Sequence, residues 1–291
     1  MRAFFGRLAA RRRRALAPGV EGMEGRALLA TSTTFVAPSI TDLVAGARNG
    51  VNTAPATIDR LLGALESQLN SGPLADLNSG AVDQAGYQTE VASLVTSFDQ
   101  SISTLLANYP NVLELTTLAA DAVPADVAAL VQQQSVGLIT TTTFATAAQT
   151  SINNLTSGPL RPLGTTIPAL ATRTQQFEAG LDTLASALGT SATIPLTISQ
   201  VNTTLAADAA AYQAEMDSAL TVTHPYAASV VDTAVATLES SVASIANGTS
   251  TSTASTQSQV QAAITAFDTT VLDTTGLFGP RGAIGRFASN D

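Results

Sequence analysis

Hydrophobic residues recur at steps of three and four through most of the chain, without sustained alternation of hydrophobic and polar positions. Steps of three and four place side chains on one face of an α-helix, whereas a half-buried strand needs alternation. We therefore predict an all-α fold. The helices would form either an antiparallel helical bundle or elongated coiled-coil-like repeats, behind a disordered N-terminal head.

The clearest series lies within 166–189, which we predict as a single helix. Its spacing matches a coiled-coil seam that is interrupted only by one threonine. We expect this seam to be buried, with Leu184 inside a core. The series is Ile167, Leu170, Thr174, Phe177, Leu181, Leu184 and Leu188.

Turn-forming and β-branched residues limit the other predicted helices. Ser71-Gly72-Pro73 should end the first helix, and Pro124 should break the third. The threonines at 140–143 are the weakest place for a helix, because β-branched residues lose rotamer freedom there. The other predicted helices are 55–70, 81–108, 112–134, 144–155, 197–220, 226–246 and 257–273.

A short motif indicates an internal repeat. Residues 71–74 read Ser-Gly-Pro-Leu, and the same four residues recur at 157–160. One interpretation is a set of degenerate repeats at 54–138, 139–224 and 225–275; the other is a chance alignment of Ala/Thr/Leu-rich heptads. We accordingly divide the chain into a basic targeting segment with a linker (1–53), a helical body (54–275) and an irregular tail (276–291).

Charge separates the N-terminus from the rest of the chain. The first 26 residues contain seven arginines and two glutamates, a net charge of +5. The other 265 residues carry six arginines and 20 acidic residues, a net charge of −14. A basic head on an acidic body is typical of a targeting segment, a membrane-surface arm or a nucleic-acid arm, or of a tail without a role.

The head is a poor match to a standard secretory signal, because Pro18, Glu21 and Glu24 interrupt the stretch where an apolar run should follow the arginines. Residues 24–29, Glu-Gly-Arg-Ala-Leu-Leu, instead resemble the LEPR-XLL segment of predicted exported planctomycete proteins. Met23 and Gly25 depart from that pattern. The resemblance implies export or surface display, with targeting residues Arg11, Arg12, Arg13, Arg14, Glu24, Arg26, Leu28 and Leu29.

The sequence presents no recognisable catalytic, cofactor-binding or metal-binding constellation. The chain has no cysteine and one histidine, His224, which we interpret as a turn residue before Pro225. No phosphate-binding glycine loop and no Gly-x-Ser-x-Gly motif occur. Glu215 and Asp217 should lie on a solvated part of a helix, and their side chains should point in different directions. We therefore predict no enzyme activity and no cofactor.

The charge of the body also restricts its partners. A net charge of −14 opposes nucleic-acid binding, since phosphates would be repelled. The expected partners are export machinery for the head and, for the body, self-association or a protein partner through the helical seams. Only the head could bind an anionic membrane surface. The long uncharged run at 127–160 is too polar to span a bilayer.

These observations predict an exported structural or interaction protein of the cell envelope or exterior. The alternatives are a helical lipid-binding protein at a membrane surface and an enzyme with a dispersed site. An enzyme should contain a deep pocket with convergent polar groups, and a lipid binder should expose an apolar stripe. We also expect deletion of residues 1–34 to leave the melting transition of the body unchanged.

Overall fold

The computed structural model of the chain describes residues 34–38, 54–155, 163–189, 192, 194–248, 252–273 and 276–279. All of them belong to one compact unit, Thr34–Asp291. These residues form α-helices and contain no strand, which confirms the predicted all-α class. The helices are α1 (Ala54–Ser71), α2 (Pro73–Ser79), α3 (Gln84–Leu105), α4 (Pro110–Ser135), α5 (Thr141–Asn154), α6 (Leu163–Ala187), α7 (Ile198–Leu220), α8 (Pro225–Asn247) and α9 (Thr253–Val271).

The helices pack around two hydrophobic cores. The first core is built from α1 to α5, and its largest buried side chains include Tyr87 and Phe98. The second core is built from α6 to α9, and it contains the predicted seam of α6 from Leu170 to Leu188; the side chain of Ile167 lies outside the described part. Leu184 is only 1% exposed there, which confirms that the seam is buried.

Helices α4 and α7 join the two cores through the most extensive helix–helix contact of the described chain. Gln133 near the end of α4 bonds to Asp208 in the middle of α7. Farther back on α4, Asp126 lies beside Glu215, which comes later on α7. Since α7 positions rise as α4 positions fall, the two helices run antiparallel.

Pro124 does not break the third predicted helix. Helix α4 continues through it from Pro110 to Ser135. A proline inside a helix removes one backbone hydrogen bond, a cost of about 3 kcal/mol. Burial of Val123 and Val127, on either side of Pro124, offsets this loss by holding both halves of α4 in place.

The threonine run at 140–143 begins a helix instead of interrupting one. The side chain of Thr140 caps α5 by accepting a hydrogen bond from the backbone N–H of Thr143 at 3.2 Å. Farther along α5, the hydroxyls of Thr146 and Thr150 donate to backbone carbonyls four residues earlier. Hydroxyls bonded in this way are satisfied within the helix, so a threonine-rich stretch can remain helical.

Ser71-Gly72-Pro73 ends α1 as predicted, but a second helix begins at once. Pro73 occupies the first turn of α2, where a missing N–H costs nothing. Gly80 ends α2 with a left-handed φ of 74°. The sequence prediction missed α2 because its seven residues are too short for a hydrophobic period to show.

Residues 34–38 were predicted to belong to a linker, but they pack against the first core. Phe35 is buried, and its ring meets the ring of Phe98 edge-on at 4.8 Å between centroids. The N–H of Phe35 donates to Ser97 Oγ at 3.0 Å. The N–H of Val36 donates to Gln68 Oε1 at 2.9 Å. The packed part of the chain therefore begins before α1.

The C-terminal tail also contributes to a core. Leu277 and Phe278 follow α9 in an irregular turn and are buried in the second core. Their backbone N–H groups donate to carbonyls of Thr270 and Val271 at the end of α9. The tail is therefore irregular as predicted where it is described, but it is not a free extension.

The predicted repeat boundaries at 138/139 and 224/225 fall between helices, and the repeat itself stays a prediction.

Phe35→Ala should destabilise the body by about 3 kcal/mol, because it removes a buried ring and its contact with Phe98. Urea denaturation followed by circular dichroism would measure the loss. Val36→Ala is the matched control, since Val36 is 73% exposed and should change stability by less than about 0.5 kcal/mol. Equal, small effects of both changes would show that residues 34–38 do not belong to the folded body.

Candidate functional site

A group of charged and polar side chains lies where α4, α5, α6 and α7 meet. We call this group the Arg173 cluster; it consists of Asp126, Ser151, Arg173, Asp208 and Glu215. Every one of its members extends from a helix, so regular backbone positions each side chain. The cluster is therefore held more rigidly than a site built on loops.

Arg173 is the centre of the cluster. Its Nε donates a hydrogen bond to Glu215 Oε2. Its Nη2 lies 3.9 Å from Asp126 Oδ1, an ion-pair distance that is too long for a hydrogen bond. Ser151 Oγ donates to the other carboxylate oxygen of Asp126 at 2.6 Å. Two helices, α5 and α6, are thus connected to α4 or α7 through polar or charged contacts.

Asp208 extends the cluster along the α4–α7 interface. Its Oδ1 accepts a hydrogen bond from Gln133 Nε2 at 2.8 Å. Arg173 acts on Asp208 by charge alone, and no hydrogen bond between the two side chains is present. Three carboxyl groups, those of Asp126, Asp208 and Glu215, therefore share one guanidinium.

Burial makes ionisation of these carboxyl groups unfavourable. Burial and the neighbouring charge of Glu215 raise the pKa of Asp126 to about 8, against the opposing effects of Arg173 and Ser151. Burial raises the pKa of Asp208 to about 6, although Gln133 and Arg173 oppose the change. Asp126 is therefore mostly protonated at neutral pH, which relieves the repulsion between its carboxyl group and that of Glu215.

The threonine that interrupts the predicted seam lies next to the cluster. Thr174 is completely buried, and its hydroxyl is 2.9 Å from the hydroxyl of Tyr212. The Tyr212 ring stacks on Phe177 with 4.4 Å between centroids. Thr174, the polar residue of the seam, thus provides a hydrogen-bond partner for the buried hydroxyl of Tyr212. Hydrophobic spacing alone could not predict this contact.

A cavity of about 530 Å³ opens beside the cluster. Its lining includes the contacting side chains of Asp126, Arg173 and Glu215, and eight of the other fourteen lining residues are apolar. A second cavity of about 280 Å³ shares these three side chains and extends to Asp208. The apolar lining of the larger cavity includes Ala119, Ala122, Val123, Leu155, Leu170 and Ala219.

The prediction that Glu215 lies on a solvated helix face is wrong. Its side chain is only 17% exposed and is bonded to Arg173. Asp217 does point elsewhere, as predicted: it accepts a hydrogen bond from Thr221 and lies near Asp232 of α8. The sequence offered one signal for the cluster: Arg173 is the only arginine between positions 162 and 280, and it precedes the threonine of the seam.

His224 lies in the turn between α7 and α8, as predicted. It is the N-cap residue of α8, and its side chain makes no capping bond. Its Nδ1 is buried and has no hydrogen-bond partner within the described part of the chain. The Arg173 cluster does not include it.

The predicted targeting residues, Arg11, Arg12, Arg13, Arg14, Glu24, Arg26, Leu28 and Leu29, lie outside the described residues. Among the residues that are described, no group of three or more histidine, cysteine or acidic side chains could hold a metal ion. In the same part of the chain, no helix is both long and apolar enough to cross a membrane.

Comparison with protein-family models, with curated proteins and with solved structures finds no match.

Proposed function

We propose that the protein is an exported structural or interaction protein without catalytic activity. In this proposal the body consists of two antiparallel helical bundles, and the Arg173 cluster fixes how α4 and α7 pack. The observation that carries the structural role is the pairing of Arg173 with carboxyl groups from two other helices. Buried ion pairs of this kind can favour one arrangement of helices over others.

The chemistry of the cluster supports a structural role over hydrolysis. Among the described residues, Ser151 has the only hydroxyl bonded to a carboxyl group of the cluster. A serine nucleophile needs a base that accepts its proton. Asp126 is mostly protonated at neutral pH, which leaves only a small fraction of the ionised carboxylate that a base requires. Glu215 is engaged by the guanidinium of Arg173.

The lipid-binding alternative has less support. A membrane-surface helix needs a continuous apolar face. The large exposed hydrophobic side chains of the described residues lie on separate elements: Val36, Leu105, Ile194 and Tyr226. The apolar seam of α6, which was predicted as a surface for partners, packs within the second core. A protein partner would therefore bind a different face of the body.

Export rests on the basic head and on its resemblance to the LEPR-XLL segment. We expect residues 1–50, fused to a reporter, to deliver it to the envelope of a planctomycete host. Joint replacement of Arg26, Leu28 and Leu29 by alanine should abolish delivery. Joint replacement of Phe4, Phe5 and Arg7 by alanine is the matched control, because it also removes one arginine and two large apolar residues.

Cell fractionation followed by immunoblotting would measure this delivery. Envelope localisation of the control, together with cytoplasmic retention of the Arg26/Leu28/Leu29 variant, is the expected result. If the unaltered fusion stays in the cytoplasm, the export proposal is wrong. If both variants are exported equally well, export does not depend on the segment that resembles LEPR-XLL.

A further inference from the structure

We propose that the cavity beside the Arg173 cluster binds a small organic cation, with its charged group against Asp126 and Glu215 and its apolar part against the alanine- and leucine-rich lining. This inference does not depend on export. It concerns a ligand site, whereas the structural role of the cluster concerns helix packing.

The dimensions and lining of the cavity fit a small molecule. Its volume of about 530 Å³ lies within the range of about 300–1,000 Å³ that is usual for ligand pockets. Such pockets combine a mostly apolar wall with a few polar groups that orient the ligand. Here Val123, Leu155 and Leu170 contribute to the apolar wall, and the charged side chains contact one another.

The charge of the lining favours a cation over an anion. Arg173 is the only basic residue among the described residues that line the two cavities. It faces the carboxyl groups of Asp126, Asp208 and Glu215, so the lining has more acidic than basic groups. An anionic ligand would compete with Glu215 for Arg173 and add further negative charge, which a site of low polarity disfavours.

Asp126 supplies a hydrogen-bonding position that the described residues leave unfilled. Its Oδ1 is buried and receives no hydrogen bond from the described residues. Arg173 Nη2, the nearest cationic nitrogen, is 3.9 Å away. The side chains of Asp126 and Glu215 remain 12% and 17% exposed, and both residues line the cavity. An ammonium group placed there would supply both charge and donors.

Binding of a cation should be linked to release of a proton. The groups that face Asp126 are Ser151 from α5, Arg173 from α6 and Glu215 from α7. Without a ligand, a proton on Asp126 relieves the repulsion between its carboxyl group and that of Glu215. An ammonium group would take over this role, so its affinity should rise with pH as Asp126 loses its proton.

Three probes of similar size test the proposal on the full-length chain. Benzylamine carries a positive charge at pH 6 and pH 8.5, benzyl alcohol is neutral, and benzoate is negative. Titration followed by NMR or calorimetry should show that benzylamine binds at pH 8.5 at least about tenfold more tightly than either analogue, a difference of about 1.4 kcal/mol. Its affinity should be at least about tenfold weaker at pH 6, where the Asp126 proton must be displaced.

Two variants, each with a matched control, locate the binding site. Asp126→Asn should abolish the preference for benzylamine over benzyl alcohol, and Asp217→Asn, on the same helix as Glu215 but outside the cavity lining, should not. Ala219→Leu should block binding by filling the cavity, while Ala206→Leu at an exposed position of α7 should leave it unchanged. Circular dichroism would verify folding, and if Ala219→Leu unfolds the chain, the Asp126→Asn comparison decides. Absence of benzylamine binding, equal binding of all three probes, or an unchanged preference in Asp126→Asn would overturn the proposal.

Discussion

Arg173→Met should destabilise the helical body by about 3–5 kcal/mol at pH 8. Methionine keeps much of the packing volume of the arginine stem but removes the guanidinium that bonds to Glu215 and lies beside Asp126. Their carboxyl groups, and that of Asp208, would then face one another without a cation. Removing one member of a buried ion pair leaves an uncompensated charge, which costs more than the intact pair contributes.

Urea denaturation of the wild type and variant would measure this loss. Arg60→Met is the matched control, because Arg60 is an exposed arginine on α1 and its removal should change stability by less than about 0.5 kcal/mol. Adding Glu215→Leu to Arg173→Met should recover part of the loss, since an unpaired carboxyl group is then removed. Equal stability of Arg173→Met and the wild type would show that the cluster does not hold the helices together.

The free energy of unfolding should increase by a few kcal/mol as the pH falls from about 8.5 to about 5, because each unit of pKa difference contributes about 1.4 kcal/mol. In the folded chain, burial raises the pKa of Asp126 to about 8, of Asp99 to about 7 and of Asp208 to about 6. In the unfolded chain an aspartate titrates near pH 3.9. Between these values the folded state binds more protons, so stability falls as pH rises.

Other carboxyl groups should act in the same direction. Asp99 of α3 lies beside Asp121 of α4, and the negative charge of Asp121 adds to the effect of burial on the Asp99 pKa. Asp99 is partly exposed, so solvent screening should reduce its contribution. Burial also raises the pKa of Glu90, Asp121, Glu178, Asp217 and Glu239.

Urea denaturation at pH 5, 6.5 and 8.5 would test this dependence. Asp126→Asn should flatten the curve, because asparagine does not titrate and can still accept the hydrogen bond from Ser151. Asp217→Asn is a useful control on α7: Asp217 lies outside the cluster, and it should have a smaller effect on the slope. A stability that rises from pH 5 to pH 8.5 would contradict the raised pKa values.

The hydrophobic spacing of the sequence was enough to predict the fold class and most helix positions. Predicted helices at 197–220 and 226–246 correspond closely to α7 (Ile198–Leu220) and α8 (Pro225–Asn247). These helices are long, and their buried faces repeat at the helical period, so local information suffices. Thr197 and Gln200 also form a capping box at the start of α7, a feature determined by residues three positions apart.

Local rules failed where packing outweighed them. A proline usually breaks a helix, yet buried neighbours keep α4 continuous through Pro124. Phe35 lies in a stretch rich in serine and threonine, and only its contact with Phe98, which is 63 residues away, makes it part of a core. The energy that decides both cases comes from burial against distant residues, which local sequence does not encode.

By itself, the sequence determined the helices, their buried faces and a basic head that resembles an export segment. Only the tertiary structure decided that Asp126, Ser151, Arg173 and Glu215 meet beside a cavity, because each comes from a different helix and no regular spacing connects them. The tertiary structure also decided the chemistry of Asp126. An aspartate in water is ionised at neutral pH, but Asp126 holds a proton because the surrounding helices exclude solvent from it.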